Sequence, residues 1–377
     1  MTADLRVGVI GLGKFGTFHA EAAAALPGVQ VAALCSRTLD RAQALADRFP
    51  GAVAYDNVAT MLAQANLDAV LIATPHKQHF EPAMQAIRAG VAALVEKPLT
   101  TSLAEANELV VAAEEAGVAL GTVFQRRYFP AAIRMREAIE RGRLGRVAAA
   151  ELVALLGRDR AYYEQDDWRG SWAGEGGGVL LTMAVHYIDM LNWLLGTPTS
   201  VYGRWDTLKH GDYIDVEDVA GAVVTYSSGA IATIQAMTTF ENGFASQPST
   251  TTQHRAPGFR LAVHGTAGHS VGLDESPELA QAVTDLWTFD GEEDRLAQWR
   301  EAESGRPSVP EFHGRQIAEF LDAVREGRQP AITGRDGLNA IEVIKGVYLS
   351  QERKQPIALP MSDADRRAAD ELTERGA

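Results

Sequence analysis

Short apolar runs alternate with amphipathic stretches through the first third of the chain, the pattern of strands each followed by a helix on a parallel sheet. Residues 5–10 read as a strand, 15–25 as a helix, 29–34 as a strand and 39–48 as a helix. Two further strands, 67–73 and 92–95, flank a helix over 81–89. Ser102 followed by Glu105 has the spacing of a capping box, in which each side chain satisfies an orphan backbone donor, and it announces a helix over 103–115. Residues 118–123 supply the last strand of this series.

Beyond residue 124 the pattern changes. A helix over 131–140 leads into strands at 147–155, 200–205, 219–226, 230–237 and 259–264, with one strong helix among them, 179–195. Runs of strands with few crossovers predict an open, mostly antiparallel β-sheet and an α+β domain. The stretch 219–240 is long and uncharged, but Ser227-Ser228-Gly229 divides it into two strands around a tight turn. A bilayer would leave that turn's backbone unsatisfied, so a hairpin and no membrane partner is expected. Residues 241–257, rich in Ser, Thr and Gln, read as a loop. Helices follow at 315–326 and 338–350, and the charged tail from Ser362 reads as a peripheral helix. The predicted division is an α/β domain over 1–123 and an α+β domain over 124–377.

A chain of 377 residues exceeds what one core usually supports, in line with that division. No basic segment precedes the first apolar run, so no secretory signal is expected, and the single Cys35 excludes an internal disulfide and a multi-cysteine zinc site. Both features lead to the expectation of a cytoplasmic protein. The net charge of -14, from 49 acidic against 35 basic residues without a long basic run, makes nucleic acid a poor partner. Only six of the basic residues are lysines, at 14, 77, 97, 209, 345 and 354. That scarcity draws attention to Lys97, which closes a predicted strand, and to Lys77 in the neighbouring loop.

Gly11-Leu12-Gly13-Lys14-Phe15-Gly16 is G-x-G-x-x-G between a predicted strand and a predicted helix. Gly11 allows the tight turn, Gly13 lets the backbone approach a pyrophosphate, and Gly16 lets helix and strand pack closely, with the helix N-terminus facing the anion. A P-loop is excluded because Thr17 stands where that motif needs lysine. The first domain is therefore expected to be a Rossmann domain binding a dinucleotide. At the end of the second strand, where NAD-specific proteins usually place an acid, the sequence is Cys35-Ser36-Arg37-Thr38, with no acid until Asp40. A hydroxyl followed by a guanidinium suits a 2′-phosphate, so NADP is expected, with NAD also possible.

Ala73-Thr74-Pro75-His76-Lys77-Gln78-His79 and Val95-Glu96-Lys97-Pro98 lie just beyond strand ends, where open α/β sheets bind their ligands. A lysine there can shuttle a proton if its surroundings bring its pKa toward neutrality. His76 and His79 read as loop hydrogen-bonders beside the cofactor; with no clustered carboxylate or cysteine in the sequence around them, no metal is expected. Taken with the glycine loop, these segments resemble the glucose-fructose oxidoreductase, inositol dehydrogenase and MocA (Gfo/Idh/MocA) family. The resemblance spans most of the chain. It extends to Gly176-Gly177-Gly178-Val179-Leu180, His186-x-x-Asp189, His313-Gly314-Arg315-Gln316 and Arg335-Asp336-Gly337.

The resemblance implies a substrate held between the nicotinamide and the sheet of the second domain, with a hydride passing between the cofactor and a carbinol or carbonyl carbon of a sugar, sugar derivative or cyclic polyol. It implies Lys97 as the acid/base residue and His186 as the residue that holds or assists the reacting hydroxyl, with Thr182 as the third residue expected in the catalytic set. Many members have an aspartate four residues before that histidine; here the position is Thr182, which can hydrogen-bond a substrate but cannot serve as a carboxylate base. Asp189 reads as structural. Arg160-Ala161-Tyr162-Tyr163 and Trp168-Arg169-Gly170-Ser171-Trp172 resemble the branch acting on sugars and nucleotide sugars, so Tyr163, Trp168 and Arg169 join Lys97, Thr182 and His186 as expected substrate contacts. Expected cofactor contacts are Gly11, Gly13, Lys14, Phe15, Gly16, Ser36, Arg37, Ala73, Thr74, Pro75, His76, His79, Glu96 and Lys97. The family also implies a homo-oligomer, dimer or tetramer, formed through the second-domain sheet. Two other functions fit the same motifs: a redox-neutral enzyme with tightly held nicotinamide, such as one cleaving glycosides, and a non-catalytic regulator sensing NADP.

Overall fold

The computed structural model describes residues 4–240, 258–275, 282–303 and 308–376. The predicted loop 241–257 lies outside them. Contacts divide the chain into two units, Met1–Gln125 with Pro310–Leu338, and Arg126–Val309 with Asn339–Ala377.

The first unit is built on six parallel strands: β1 (Leu5–Ile10), β2 (Val29–Cys35), β3 (Val53–Tyr55), β4 (Ala69–Ile72), β5 (Ala92–Val95) and β6 (Leu120–Thr122). Their order is β3-β2-β1-β4-β5-β6. Every residue of β4 and β5 is buried, which is why these strands read as unbroken apolar runs with no alternation. The strand order reverses between β1 and β4, and the crevice at the carboxyl ends of that pair is where such sheets take ligands. Residues 310–338 belong to this unit, whereas the sequence pattern assigns them to the second domain. Hydrophobic burial explains the return: Ile317, Phe320 and Leu321 enter the same core as Leu34, Leu71 and Leu94. Gln316 Nε2 also donates to the Thr122 carbonyl at 2.7 Å.

The second unit carries β7 (Val147–Leu155), β8 (Pro198–Asp206), β9 (Val219–Tyr226), β10 (Ile231–Met237), β11 (Gly258–Gly265), β12 (Ser270–Glu275), β13 (Val283–Trp287) and β14 (Ile357–Ala358). They form one open sheet in the order β13-β12-β11-β7-β10-β9-β8-β14. Only the central β7–β10 pair is parallel. β10 alternates exposed and buried residues along most of its length, as a sheet with one covered face must. The expected α/β Rossmann domain followed by a mostly antiparallel α+β domain is observed. Trp172–Leu195 is long and apolar enough to cross a membrane by composition, but 78% of its most apolar window is buried inside the protein, the signature of a core helix.

Candidate active site

The glycine loop follows β1. Gly11 has φ +87°, and a Cβ there would lie 2.7 Å from the Ala73 carbonyl and the Thr74 nitrogen, so the loops after β1 and β4 can approach only through glycine. At Gly16 a Cβ would fall 1.8 Å from the Gly11 oxygen. At Gly13 it would meet no protein atom within 4 Å. Packing thus explains the outer two glycines and leaves the middle one facing open space. Gly13 is also the N-cap of the helix Lys14–Ala24, which has no side-chain cap and no acid in its first turn. The first backbone N–H groups and the positive end of the helix dipole suit an anion there. The cradle therefore fits a dinucleotide pyrophosphate. Lys14 and Phe15 are exposed at the helix start. Arg41 braces the loop by donating from Nε to the Leu12 carbonyl at 3.1 Å; nothing in its sequence setting signals that contact.

After β2, Ser36 is half-buried and Arg37 exposed. Cys35 is buried, and burial pushes its thiol up to about 11, so it stays a neutral packing residue. Ala73, Thr74, Pro75 and His76 are half-buried at the end of β4. His79 is different: it is fully buried, with Nδ1 2.7 Å from the Pro98 carbonyl and Nε2 2.8 Å from the Thr74 carbonyl. Burial lowers its pKa despite those bonds. Its ring joins the two strand-end loops, and both of its nitrogens are spent inside the domain.

Glu96 likewise turns inward. Its Oε1 lies 3.0 Å from His19 Nε2 and 3.8 Å from His313 Nε2, and its Oε2 accepts the Lys97 backbone N–H at 3.2 Å. Burial works against the anion, but the histidines and Lys97 outweigh it and hold the carboxyl down to about 2. Among the described residues, His19, Glu96 and His313 form the one group of side chains whose potential metal-ligand atoms converge, all within 4.8 Å, and neither His76 nor His79 belongs to it. Lys97 itself is half-buried.

The second unit holds the remaining candidates. Gly178 N–H donates to Glu217 Oε2 at 2.6 Å, while Leu180 N–H and the Tyr348 hydroxyl donate to Oε1 at 3.0 and 2.9 Å. A Cβ at Gly178 would lie 1.9 Å from the Glu217 carbonyl oxygen, so this close approach needs a glycine. Burial pushes the Glu217 carboxyl up to about 7 in spite of the three donors. Sequence reasoning missed Glu217, which sits in the unremarkable run Val216-Glu217-Asp218.

The predicted helix over 179–195 begins instead as a π-helical turn, Leu180–Ala184, before the α-helix Val185–Leu195. Wide turns of this kind recur at functional sites. From 175 to 191 every residue is buried except Thr182 and Met183, which are half-buried. The Thr182 hydroxyl donates to the Gly178 carbonyl at 2.8 Å, and His186 is 5% exposed. Asp189 accepts a buried, two-pronged bond from Arg127, with Nε at 2.8 Å from Oδ2, a structural role matching the expectation.

The aromatic segment is more self-contained than predicted. Tyr163 is buried with its hydroxyl 3.2 Å from Thr238 Oγ1, and burial raises its pKa. Arg169 donates to Asp166 and to the Tyr162 hydroxyl, each at 2.9 Å, and its guanidinium lies 4.8 Å from the ring centres of Tyr162 and Trp168. Trp168 is half-buried. These contacts build a local cluster, in which the Tyr163 ring meets Tyr162 edge-on at 5.1 Å.

Residues 5–124 match the oxidoreductase family with an NAD-binding Rossmann fold, and residues 136–359 match that family's C-terminal alpha/beta domain. The chain is 31% identical over 355 residues to 1,5-anhydro-D-fructose reductase of Ensifer adhaerens, covering 92% of this chain and 97% of that protein. It is 26% identical over 358 residues to myo-inositol 2-dehydrogenase of Thermotoga maritima, covering 94% and 98%. The crystal structure of the WlbA dehydrogenase from Bordetella pertussis, in complex with NADH and UDP-GlcNAcA, matches with a TM-score of 0.82 at 26% identity, over 96% of this chain and 99% of that one. With both domains matched in order along most of its length, the chain belongs to the Gfo/Idh/MocA family of oxidoreductases.

Proposed function

We propose that this protein oxidises or reduces a CH–OH carbon of a sugar, sugar derivative or cyclic polyol, with a nicotinamide dinucleotide as redox partner and Lys97 as the acid/base residue. The observation that carries the reading is the pairing, in one unit, of the open cradle at Gly13 with a lysine directly after β5. When bound, the nicotinamide supplies the hydride acceptor or donor. Lys97 Nζ takes the hydroxyl proton in the oxidative direction and returns it in the reductive one. Thr182 already donates its own hydrogen to Gly178, so it serves a substrate as an acceptor. His186 orients or assists the same hydroxyl. The exposed Arg37 favours NADP, with NAD also accommodated.

The partner is thus a small carbohydrate or polyol. The second sheet leaves Tyr202, Val223 and Ile231 41%, 44% and 49% exposed, which supports pairing of this sheet with a second copy of the chain. A cytoplasmic location remains part of the proposal on the cysteine content alone. The test is Lys97→Met, assayed by nicotinamide absorbance against a panel of sugars and polyols. Turnover should fall about 10²- to 10⁴-fold while dinucleotide affinity is retained. Undiminished turnover would falsify the role of Lys97.

A further inference from the structure

We propose that His19 and His313 are positioning residues that brace Lys97 through the Glu96 carboxylate. The inference rests on the acid/base role of Lys97 proposed above. The three side chains come from separate elements of the first unit: His19 from the helix Lys14–Ala24, Glu96 from the end of β5, and His313 from the helix Ser308–Glu326. Their exposures are 0%, 7% and 2%. A carboxylate so deeply buried persists as an anion only where donors and positive charge face it. Here the facing groups are His19 from one helix, His313 from another, and Lys97 from its own strand end. On the far side, the charge of Glu96 also acts on His79 at the start of the helix Phe80–Arg88.

The arrangement is fixed from both directions. The His313 ring meets Phe18 edge-on at 5.4 Å and lies 5.8 Å from the His19 ring at a tilt of 44°, so the two imidazoles pack beside one another next to Glu96. With Oε1 engaged by His19, Oε2 is aimed at the backbone N–H of Lys97. Further along, the Pro98 carbonyl is held as well, because His79 Nδ1 lies 2.7 Å from it. The chain is thereby held at the Lys97 N–H and again at the Pro98 carbonyl, and the lysine side chain is presented from between the two contacts. The return of residues 310–338 to this unit gains a purpose: it delivers His313 to the strand end beyond which the lysine lies.

Three variants test the brace in the intact protein. Glu96→Gln keeps the shape and an acceptor for the Lys97 N–H but removes the charge. His19→Leu removes the imidazole that lies 3.0 Å from Glu96 Oε1, and His19→Gln puts a polar amide back in its place. Glu96→Gln and His19→Leu should each lower kcat roughly 10-fold or more, since small displacements of a reacting group are costly, while dinucleotide Kd stays within about twofold. His19→Gln should recover most of that loss. In Glu96→Gln the limb of the oxidative pH profile governed by Lys97 should also move to lower pH, because the neighbouring anion that favours the ammonium has gone. A residue with only a packing role would lower thermal stability without moving that limb.

Lys97→Met separates the two claims. If it retains turnover, the acid/base reading fails and the brace fails with it. If it abolishes turnover while Glu96→Gln and His19→Leu leave kcat and the pH limb unchanged, the brace alone is overturned. Metal analysis of the purified protein addresses the rival use of two imidazoles and a carboxylate. About one zinc per chain, lost in His19→Leu, would make the cluster a metal site and overturn the proposal.

Discussion

Gly13→Ala separates a glycine kept for a ligand from one kept for the fold. The backbone at Gly13 has φ -76° and ψ -164°, a conformation alanine adopts without strain, and an added Cβ would meet nothing within 4 Å. Without dinucleotide the substitution should leave stability unchanged or raise it by up to about 1 kcal/mol, through the lower entropy of the unfolded chain. With dinucleotide the new methyl group stands where the pyrophosphate must come up against the helix N-terminus. Losing even one charge-assisted hydrogen bond there costs about 1.5–3 kcal/mol, which raises Kd roughly 10- to 100-fold. Gly16→Ala provides the contrast, because its Cβ would lie 1.8 Å from the Gly11 oxygen, a backbone atom that cannot swing away. That variant should lose at least about 1–3 kcal/mol of stability as well as affinity. Denaturant unfolding of the ligand-free protein and fluorescence titration with NAD and NADP measure both quantities. The reasoning is refuted if Gly13→Ala binds with wild-type affinity, or if it destabilises the ligand-free protein as much as Gly16→Ala does.

Two further outcomes follow from single side chains. Arg37→Ala should weaken NADP binding about 10- to 100-fold by removing a charge-assisted contact with the 2′-phosphate, and change NAD affinity little; equal losses for the two cofactors would remove Arg37 from that role. Glu217 has its carboxyl raised from the ordinary 4.5 to about 7, so between those values the native state binds more protons than the unfolded one. Stability linked to this group is therefore full below about pH 4.5 and is lost as the pH rises through 7, by on the order of 3 kcal/mol. Glu217→Gln, neutral throughout, should flatten that part of the stability profile; an unchanged slope would show that another group controls it.

The strands and helices legible in the sequence are those whose burial is regular. β7 and β9 coincide with the predicted 147–155 and 219–226 because one-sided burial imposes a readable pattern. β3, only Val53–Tyr55, is short and carries an exposed Val53, and β12, Ser270–Glu275, includes a glycine and two acids. Such strands exist because a neighbour offers a ladder: Leu261 pairs with Leu273, and Ala33 pairs with Val53. The helix Val58–Gln64 had a readable signal in Asn57, whose side chain accepts the Thr60 N–H at 2.9 Å. At the site the same division holds. The glycine loop and the strand-end lysine follow from local spacing. The neighbours of Glu96 do not, since His19 and His313 are 294 positions apart in the chain and are joined only by the fold.

The replacement of the familial aspartate by Thr182 raises the question of what the second unit contributes. The π-helical turn Leu180–Ala184 gives part of the answer, because it carries the two half-buried residues in an otherwise buried stretch. Glu217 holds the start of that turn through the N–H groups of Gly178 and Leu180, and Gly178 in turn offers its carbonyl to the Thr182 hydroxyl. A threonine bonded back to its own helical turn is oriented, with its hydrogen committed. It can receive a hydrogen bond from a sugar hydroxyl but has no means of carrying a proton away at neutral pH. On the proposed reading, proton transfer then falls on Lys97, and Thr182 works by fixing which hydroxyl is presented. On the same proposed reading, the acid/base chemistry rests with Lys97, and Thr182 is left with selection and orientation.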